Sequence, residues 1–391
     1  MYLRLFSKAI LELGYQVVAC SADSENLDNW IIAQLHDSPE LIKNFKTLTI
    51  LENPPKRLFN LNLQPLNTLS RWNQAKKTIR QVIQLVGHHP DLVLFNWVDS
   101  YLSRYIPASL IDIIFPYPWF GICFQPKLDD LQKIKHNHFF DFHRVFKAFY
   151  CQGVGVLDDE QTTKLQLQLN KKVITFPDIT DEANPDFDFF VALDIKKKAR
   201  GRKIIGLLGS LNKRKGLLNL VGVSQQPGNE KYFFAFVGQL SHYMLQPEEL
   251  KYIQKIRELN PSNCYFHFEL IPDEPQFNAL VNICDILFAA YENFPYSSNI
   301  LTKAAVFKKP LIATKDSCVG NRVRQFQMGL TIEEGNLDQC SEAIHTLCND
   351  LDLCLTSLQP DFESYRKIHS NAQVFCVFQS LFENNFASLP M

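Results

Sequence analysis

Twelve short apolar runs, rich in β-branched and aromatic residues, alternate with helix-periodic segments along the chain. Few folds other than a series of parallel βα units accommodate that alternation. Six runs lie in the first half, at 16–20, 48–51, 92–97, 119–124, 153–157 and 173–176; six lie in the second, at 203–208, 232–237, 265–268, 286–289, 311–313 and 330–332. Between the two sets, residues 177–190 (PDITDEANPDFDFF) combine two prolines with a cluster of acids, and the basic run KKKARGRK follows at 196–203. This break has no apolar periodicity. A chain of 391 residues exceeds what one core usually organises. The pattern therefore predicts an α/β protein of two parallel-sheet domains facing a cleft, 1–185 and 186–365, joined within 178–202. Apolar positions at Tyr365, Ile368, Val374, Phe375, Phe378, Leu381 and Phe382 predict a closing helix or helix pair, with 366–391 as the third segment.

Charge and cysteine usage narrow the functional classes. Lys and Arg number 40 against 41 Asp and Glu, so no global field draws the protein onto nucleic acid, and any phosphate recognition must be local. No run approaches the roughly 20 apolar residues of a membrane span, which reads as a cytoplasmic protein and is compatible with peripheral membrane contact. The ten cysteines are scattered without a C-x-x-C pair, which argues for reduced thiols rather than a disulfide framework or zinc. His136, His138 and His143 invite a metal reading, but the i, i+2 spacing of the first two does not place them on one helix face, so no metal is expected.

Two segments carry recognisable chemistry. In IIGLLGSLNKRKGLLNLV, residues 204–221, an apolar strand ends at Gly209, and Lys213, Arg214, Lys215 and Gly216 open a helix. Cations beside a helix N-terminus suit a diphosphate, because unpaired amides and the positive end of the helix dipole meet its oxygens. In ILFAAYENFPYSSNILTKAAVFKKPLIA, residues 286–313, a second strand and loop enter a helix through Ser297, Ser298 and Asn299, all N-capping residue types. Two such helix starts at one sheet edge mark a ligand crevice.

The order of these segments resembles the C-terminal domain of retaining GT-B glycosyltransferases of the group 1 class, which are built of two Rossmann-like domains. That family's Gly, then Arg, then Lys-Gly signature matches Gly209, Lys215 and Gly216, with Ser210 where Arg is usual and Arg214 as a neighbouring cation. Gly238 ends a strand as the family's does, and Leu270 and Ile271 occupy the loop that contacts the base. The family's two Glu, eight residues apart, fall on Pro295 and Lys303; Glu292 lies three residues upstream, where it can reach the sugar, and Lys303 can meet phosphate or acceptor. Gln125 stands where many relatives carry a His that contacts the donor sugar.

The resemblance implies a glycosyltransferase that moves a sugar from a nucleoside-diphosphate sugar, used as substrate, to a hydroxyl with retention and without a cofactor or metal. Glu292 and Gln125 are its candidate catalytic residues. Its donor-binding residues are Gly209, Ser210, Arg214, Lys215, Gly238, Leu270, Ile271, Ser297, Ser298, Asn299 and Lys303. The acceptor, a glycan, lipid or small molecule, is not legible. The alternative is a GT-B-like binding or partner protein that does not catalyse, suggested by the departures at Ser210, Pro295, Lys303 and Gln125. Finally, Leu3, Phe6, Ile10 and Leu13 predict a first helix that stops at Gly14 with no strand before it. In the resembling enzymes a strand and a Gly-rich loop precede that helix, so both are expected to be missing upstream of Met1.

Overall fold

The computed structural model describes residues 1–50, 64–126, 142–349 and 356–386. They form two compact units, the first of residues 1–177 with 371–391, the second of residues 178–370.

The second unit is a doubly wound sheet. Its strands are β7 (Ile204–Leu208), β8 (Phe233–Val237), β9 (Cys264–His267), β10 (Ile286–Ala289), β11 (Leu311–Thr314) and β12 (Gly329–Ile332). All pairings are parallel, in the order β12-β11-β10-β7-β8-β9. The central strands are apolar on both faces, as a sheet covered by helices on both sides requires. Ile204, Leu208, Phe233, Ala235 and Val237 enter one core, whereas Ile205, Leu207, Phe234 and Phe236 enter the other. The chain leaves β7 toward β8 on one side and β10 toward β11 on the other, so β7 and β10 flank the topological switch point.

The first unit contains β1 (Val17–Ser21), β2 (Phe45–Thr49), β3 (Val93–Phe95), β4 (Trp119–Cys123), β5 (Cys151–Val156) and β6 (Lys172–Thr175). They form two separate parallel sheets, β1-β2 and β3-β4-β5-β6. A cluster of aromatic rings, with Trp72 against Phe95, Phe115 and Trp119, anchors the larger one. The first helix spans Tyr2–Glu12, and Gly14 follows with a φ of 86° as its stop.

The expected boundaries need two corrections. The second unit begins at Asp178, because residues 178–183 lie against it: Asp178 N donates to His369 Nδ1 at 3.0 Å, and Asn278 Nδ2 donates to the Ala183 carbonyl at 2.7 Å. The closing segment is a helix pair that divides between the units. Phe362–Ile368 stays with the second, its Tyr365 ring 5.1 Å from Phe326. Asn371–Phe386 instead belongs to the first, where Phe378 meets Phe6 at 5.3 Å and Phe176 at 5.4 Å and Phe382 meets Tyr15 at 4.8 Å. Among the described residues, no helix is long and apolar enough to cross a membrane.

Candidate functional site

The loops leaving β7, β8 and β10 build the site at the carboxyl edge of the second unit. Gly209 takes a φ of 97° as the chain leaves β7, and its N–H donates to the Val237 carbonyl at 2.9 Å. Gly238 follows β8 so closely that a Cβ there would lie 1.8 Å from the Gly209 carbonyl oxygen, so only glycine permits these two loops to meet. The contact continues where Leu211 N–H donates to the Gln239 carbonyl and Ser241 N–H to the Leu211 carbonyl. Ser210 is occupied within this pair of loops, its hydroxyl hydrogen-bonded to Ser241 at 3.0 Å and accepting from Asn212 Nδ2 at 3.1 Å.

Asn212 shapes the cationic turn. Almost completely buried, it accepts the Lys215 N–H on its side-chain oxygen at 3.0 Å, which winds Lys213–Lys215 into one 3₁₀ turn ahead of the Leu217–Ser224 helix. The turn aims its three cations differently. Lys213 pairs with Glu249 at 2.6 Å, a bond that holds the lysine above and the carboxyl below its ordinary value. Arg214 lies over the Phe294 ring, 4.5 Å from its centroid. Lys215 donates to the Tyr291 hydroxyl at 2.8 Å, and that oxygen is 3.3 Å from Ser298 Oγ. One phenol thus joins the cation of the β7 loop to the start of the Ile300–Phe307 helix that follows β10. Among the described residues neither Arg214 nor Lys215 is paired with a carboxylate, and two of the three Lys215 ammonium donors have no protein partner. Such an arrangement is chemically suited to an anion.

Glu292 stands beside this turn. Its N–H donates to the Arg214 carbonyl at 2.8 Å, and its carboxylate accepts from Asn219 at 3.0 Å. Burial holds this carboxyl above its ordinary range, and Lys213 opposes the shift. Ionisation of Glu292 therefore opposes folding: the group's contribution is most favourable below its unfolded value and is lost as pH rises through the folded one. Glu292→Gln keeps an oxygen for Asn219. It is expected to raise the thermal midpoint near pH 7 and to lose that advantage below about pH 4; a midpoint difference independent of pH would contradict this account.

Other expected site residues have different surroundings. Lys303 is not available to a ligand. It is buried, and its ammonium donates to the Asp181 carbonyl, Glu274 and Asn278, which uses all three donors. Ser297 likewise serves the interior, donating to Asp178 and accepting from Arg322. Burial and Arg322 together press the nearby His369 down to about 3, so this ring is neutral and accepts the Asp178 N–H. Asn299 is the N-cap residue of the Ile300–Phe307 helix but makes no side-chain cap. Leu270 is exposed after β9, whereas Ile271 packs on the core.

Gln125 belongs to the first unit, just past β4. Its N–H and that of Phe124 donate to the Asp99 carboxylate at 2.7 and 3.0 Å. His143 is buried in that unit, while His136 and His138 lie outside the described residues. Among the described residues, no group of three or more His, Cys, Asp or Glu is placed to hold a metal.

Sequence reasoning did not single out Asn212 or Asn219, nor the roles of Tyr291 and Phe294 as receivers of the Lys215 and Arg214 cations. Asn212 carried a signal, being an N-capping residue type directly before the basic turn. The others depend on loops distant in sequence.

Comparison with known proteins bears on the fold. Residues 191–372, nearly all of the second unit, match the model of the family described as glycosyl transferases group 1. Sucrose-phosphate synthase from Thermosynechococcus elongatus superimposes with a TM-score of 0.65 at 13% identity, over 89% of this chain and 85% of that one. The α,α-trehalose 6-phosphate synthase of Burkholderia multivorans gives 0.64 at 9% identity, over 96% and 99% of the two chains. Anabaena Alr3699/HepE, solved in complex with UDP and glucose, gives 0.59 at 14% identity, over 90% and 89%. No curated protein sequence matches the chain. The fold is that of GT-B glycosyltransferases, and the family match together with this fold supports glycosyl transfer.

Proposed function

We propose that the chain transfers a sugar from a nucleoside-diphosphate sugar to a hydroxyl acceptor with retention of configuration. One observation carries the reading: at the switch point between β7 and β10, Lys215 meets the start of a helix through Tyr291 and Ser298 while Arg214 lies beside it over Phe294, and among the described residues neither cation has a carboxylate partner. A leaving diphosphate gains negative charge as the glycosidic bond breaks, and preorganised cations and amides stabilise that charge without reorganising. Lys215 and Arg214 hold the diphosphate, Ser298 and the amides near Asn299 contact its oxygens, and Glu292 reaches the sugar. In Alr3699/HepE the solved complex holds UDP and glucose, which supports a donor of the same chemical class here.

A second reading, a GT-B-like protein that binds a nucleotide sugar without transferring it, is favoured by Lys303, whose buried ammonium occupies a position where the resembling enzymes carry a carboxylate. A panel of UDP-, GDP- and ADP-sugars, followed for nucleotide release with and without acceptor extract, separates the two. Release that increases with extract supports transfer, binding without release supports the second reading, and no binding by any donor overturns both.

A further inference from the structure

Three buried polar side chains, Ser297, Asp178 and Arg322, meet at the loop that joins β10 to the Ile300–Phe307 helix. The Ser297 hydroxyl donates to Asp178 Oδ2 and accepts from Arg322 Nη1, so a carboxylate and a guanidinium share one oxygen. Its single proton is thereby committed to Asp178 and a lone pair to Arg322. Both bonds involve an ionised partner and are about twice as strong as neutral ones.

Asp178 has further ties. Its N–H donates to His369 Nδ1 at 3.0 Å, and its carbonyl accepts from Thr302, on the helix that the loop enters. Asp178 is the first residue of the second unit, and His369 directly precedes Ser370, its last. The residue that holds Ser297 therefore also joins the chain's entry into the unit to its exit. Earlier parts of the loop are secured separately, by Thr314 Oγ1 donating to the Tyr291 carbonyl and Cys318 N–H to the Pro295 carbonyl at 3.1 Å. Beyond Pro295, neighbouring side chains part company. Ser297 turns into the interior, whereas Ser298 Oγ lies 3.3 Å from the Tyr291 hydroxyl that receives Lys215.

We infer that Asp178 and Arg322 are positioning residues which, through Ser297, aim Ser298 and the start of the Ile300–Phe307 helix at the donor diphosphate, and that donor binding in turn steadies the entry and exit of the unit. The inference rests on the nucleotide-sugar reading above for the identity of the ligand. Groups that hold a ligand act only within about 0.5 Å of their productive geometry, and neighbours that do not touch the ligand keep them there. The second half follows from reciprocity: an anchor that raises donor affinity by some factor is itself tightened by the donor by the same factor.

The test measures the affinity of the full chain for whichever of the UDP-, GDP- and ADP-sugars it binds most tightly, by calorimetry, and for the matching nucleoside, by ligand-observed magnetic resonance. Ser297→Ala, checked for native circular dichroism, is expected to bind the donor about tenfold more weakly, the equivalent of one charge-assisted contact. The nucleoside carries no phosphate and should keep its affinity within about twofold, whereas a general loss of structure would weaken both ligands alike. Ser297→Thr restores the hydroxyl and should bind the donor within about threefold of the original. Asp178→Asn keeps an acceptor for Ser297 without the charge; it should fall between these two and supplies the measurement if Ser297→Ala does not fold. Hydrogen exchange of the Asp178 amide should slow by about fivefold or more when donor saturates the original chain, and should not respond to donor in Ser297→Ala. Unaltered donor affinity in the folded variants, an equal loss for donor and nucleoside, a Ser297→Thr protein as weak as Ser297→Ala, or exchange indifferent to donor in the original chain overturns the inference. An original chain that binds none of the donors removes the nucleotide-sugar reading and the inference with it, an outcome distinct from binding that the variants leave unchanged.

Discussion

Lys303→Ala is expected to destabilise the protein by about 2–4 kcal/mol, toward the lower part of the range for a broken buried pair because Glu274 keeps some contact with water. The substitution leaves the Glu274 carboxylate, the Asn278 amide oxygen and the Asp181 carbonyl without their shared donor. Urea unfolding of the full chain reads the loss. The double variant Lys303→Met/Glu274→Leu is expected to recover part of it, since removing both charges also removes the desolvation cost. Nucleotide-sugar affinity of the folded fraction should remain unchanged. A Lys303→Ala protein as stable as the original, or one that is stable but has lost its donor affinity, would show that this ammonium faces the ligand after all.

Lys215→Ala is expected to act in the opposite way, with binding weakened and stability preserved. A hydrogen bond to a charged group contributes about 1.5–3 kcal/mol, so the affinity for the cognate nucleotide sugar should fall by roughly ten- to a hundredfold. The unfolding transition should stay close to the original, because the one group among the described residues that loses a hydrogen bond, the Tyr291 hydroxyl, keeps Ser298 within reach. Arg214→Ala should weaken binding in the same direction. Calorimetric titration showing unchanged affinity in both variants would remove the diphosphate from this site.

The two lysines differ in how legible they were. Each of the twelve apolar runs corresponds to an observed strand, because buried parallel strands are written as local apolar segments. The 48–51 run alone is displaced, its strand lying at Phe45–Thr49, where the side chains are partly buried and the apolar signal is weak. The basic turn was legible for a similar reason, since a strand, a glycine and three cations are adjacent in the chain. Lys303 was not. Its partners lie 29, 25 and 122 residues away, and only the assembled fold shows that its ammonium is enclosed. A lone charge within the apolar helix ILTKAAVF was the available signal, because a charge on such a face must either reach water or find partners. The roles of Tyr291 and Phe294 were hidden in the same way, their function being to receive cations from a turn more than 70 residues earlier.

The return of the Asn371–Phe386 helix to the first unit has a consequence for synthesis. Phe378 contacts Phe6 and Phe176, so one wall of the first unit is supplied by residues made after the entire second unit. At a ribosomal rate of about 5–20 residues per second, translating residues 178–370 takes on the order of 10–40 s. During that interval the nascent first unit carries Phe6 and Phe176 without their partner, while the second unit, continuous in sequence, has all its own residues before Asn371 appears. The order of completion on the ribosome is thus the reverse of the order of emergence: the later-born unit closes first, and the earlier one stays within reach of chaperones until the last helix leaves the exit tunnel.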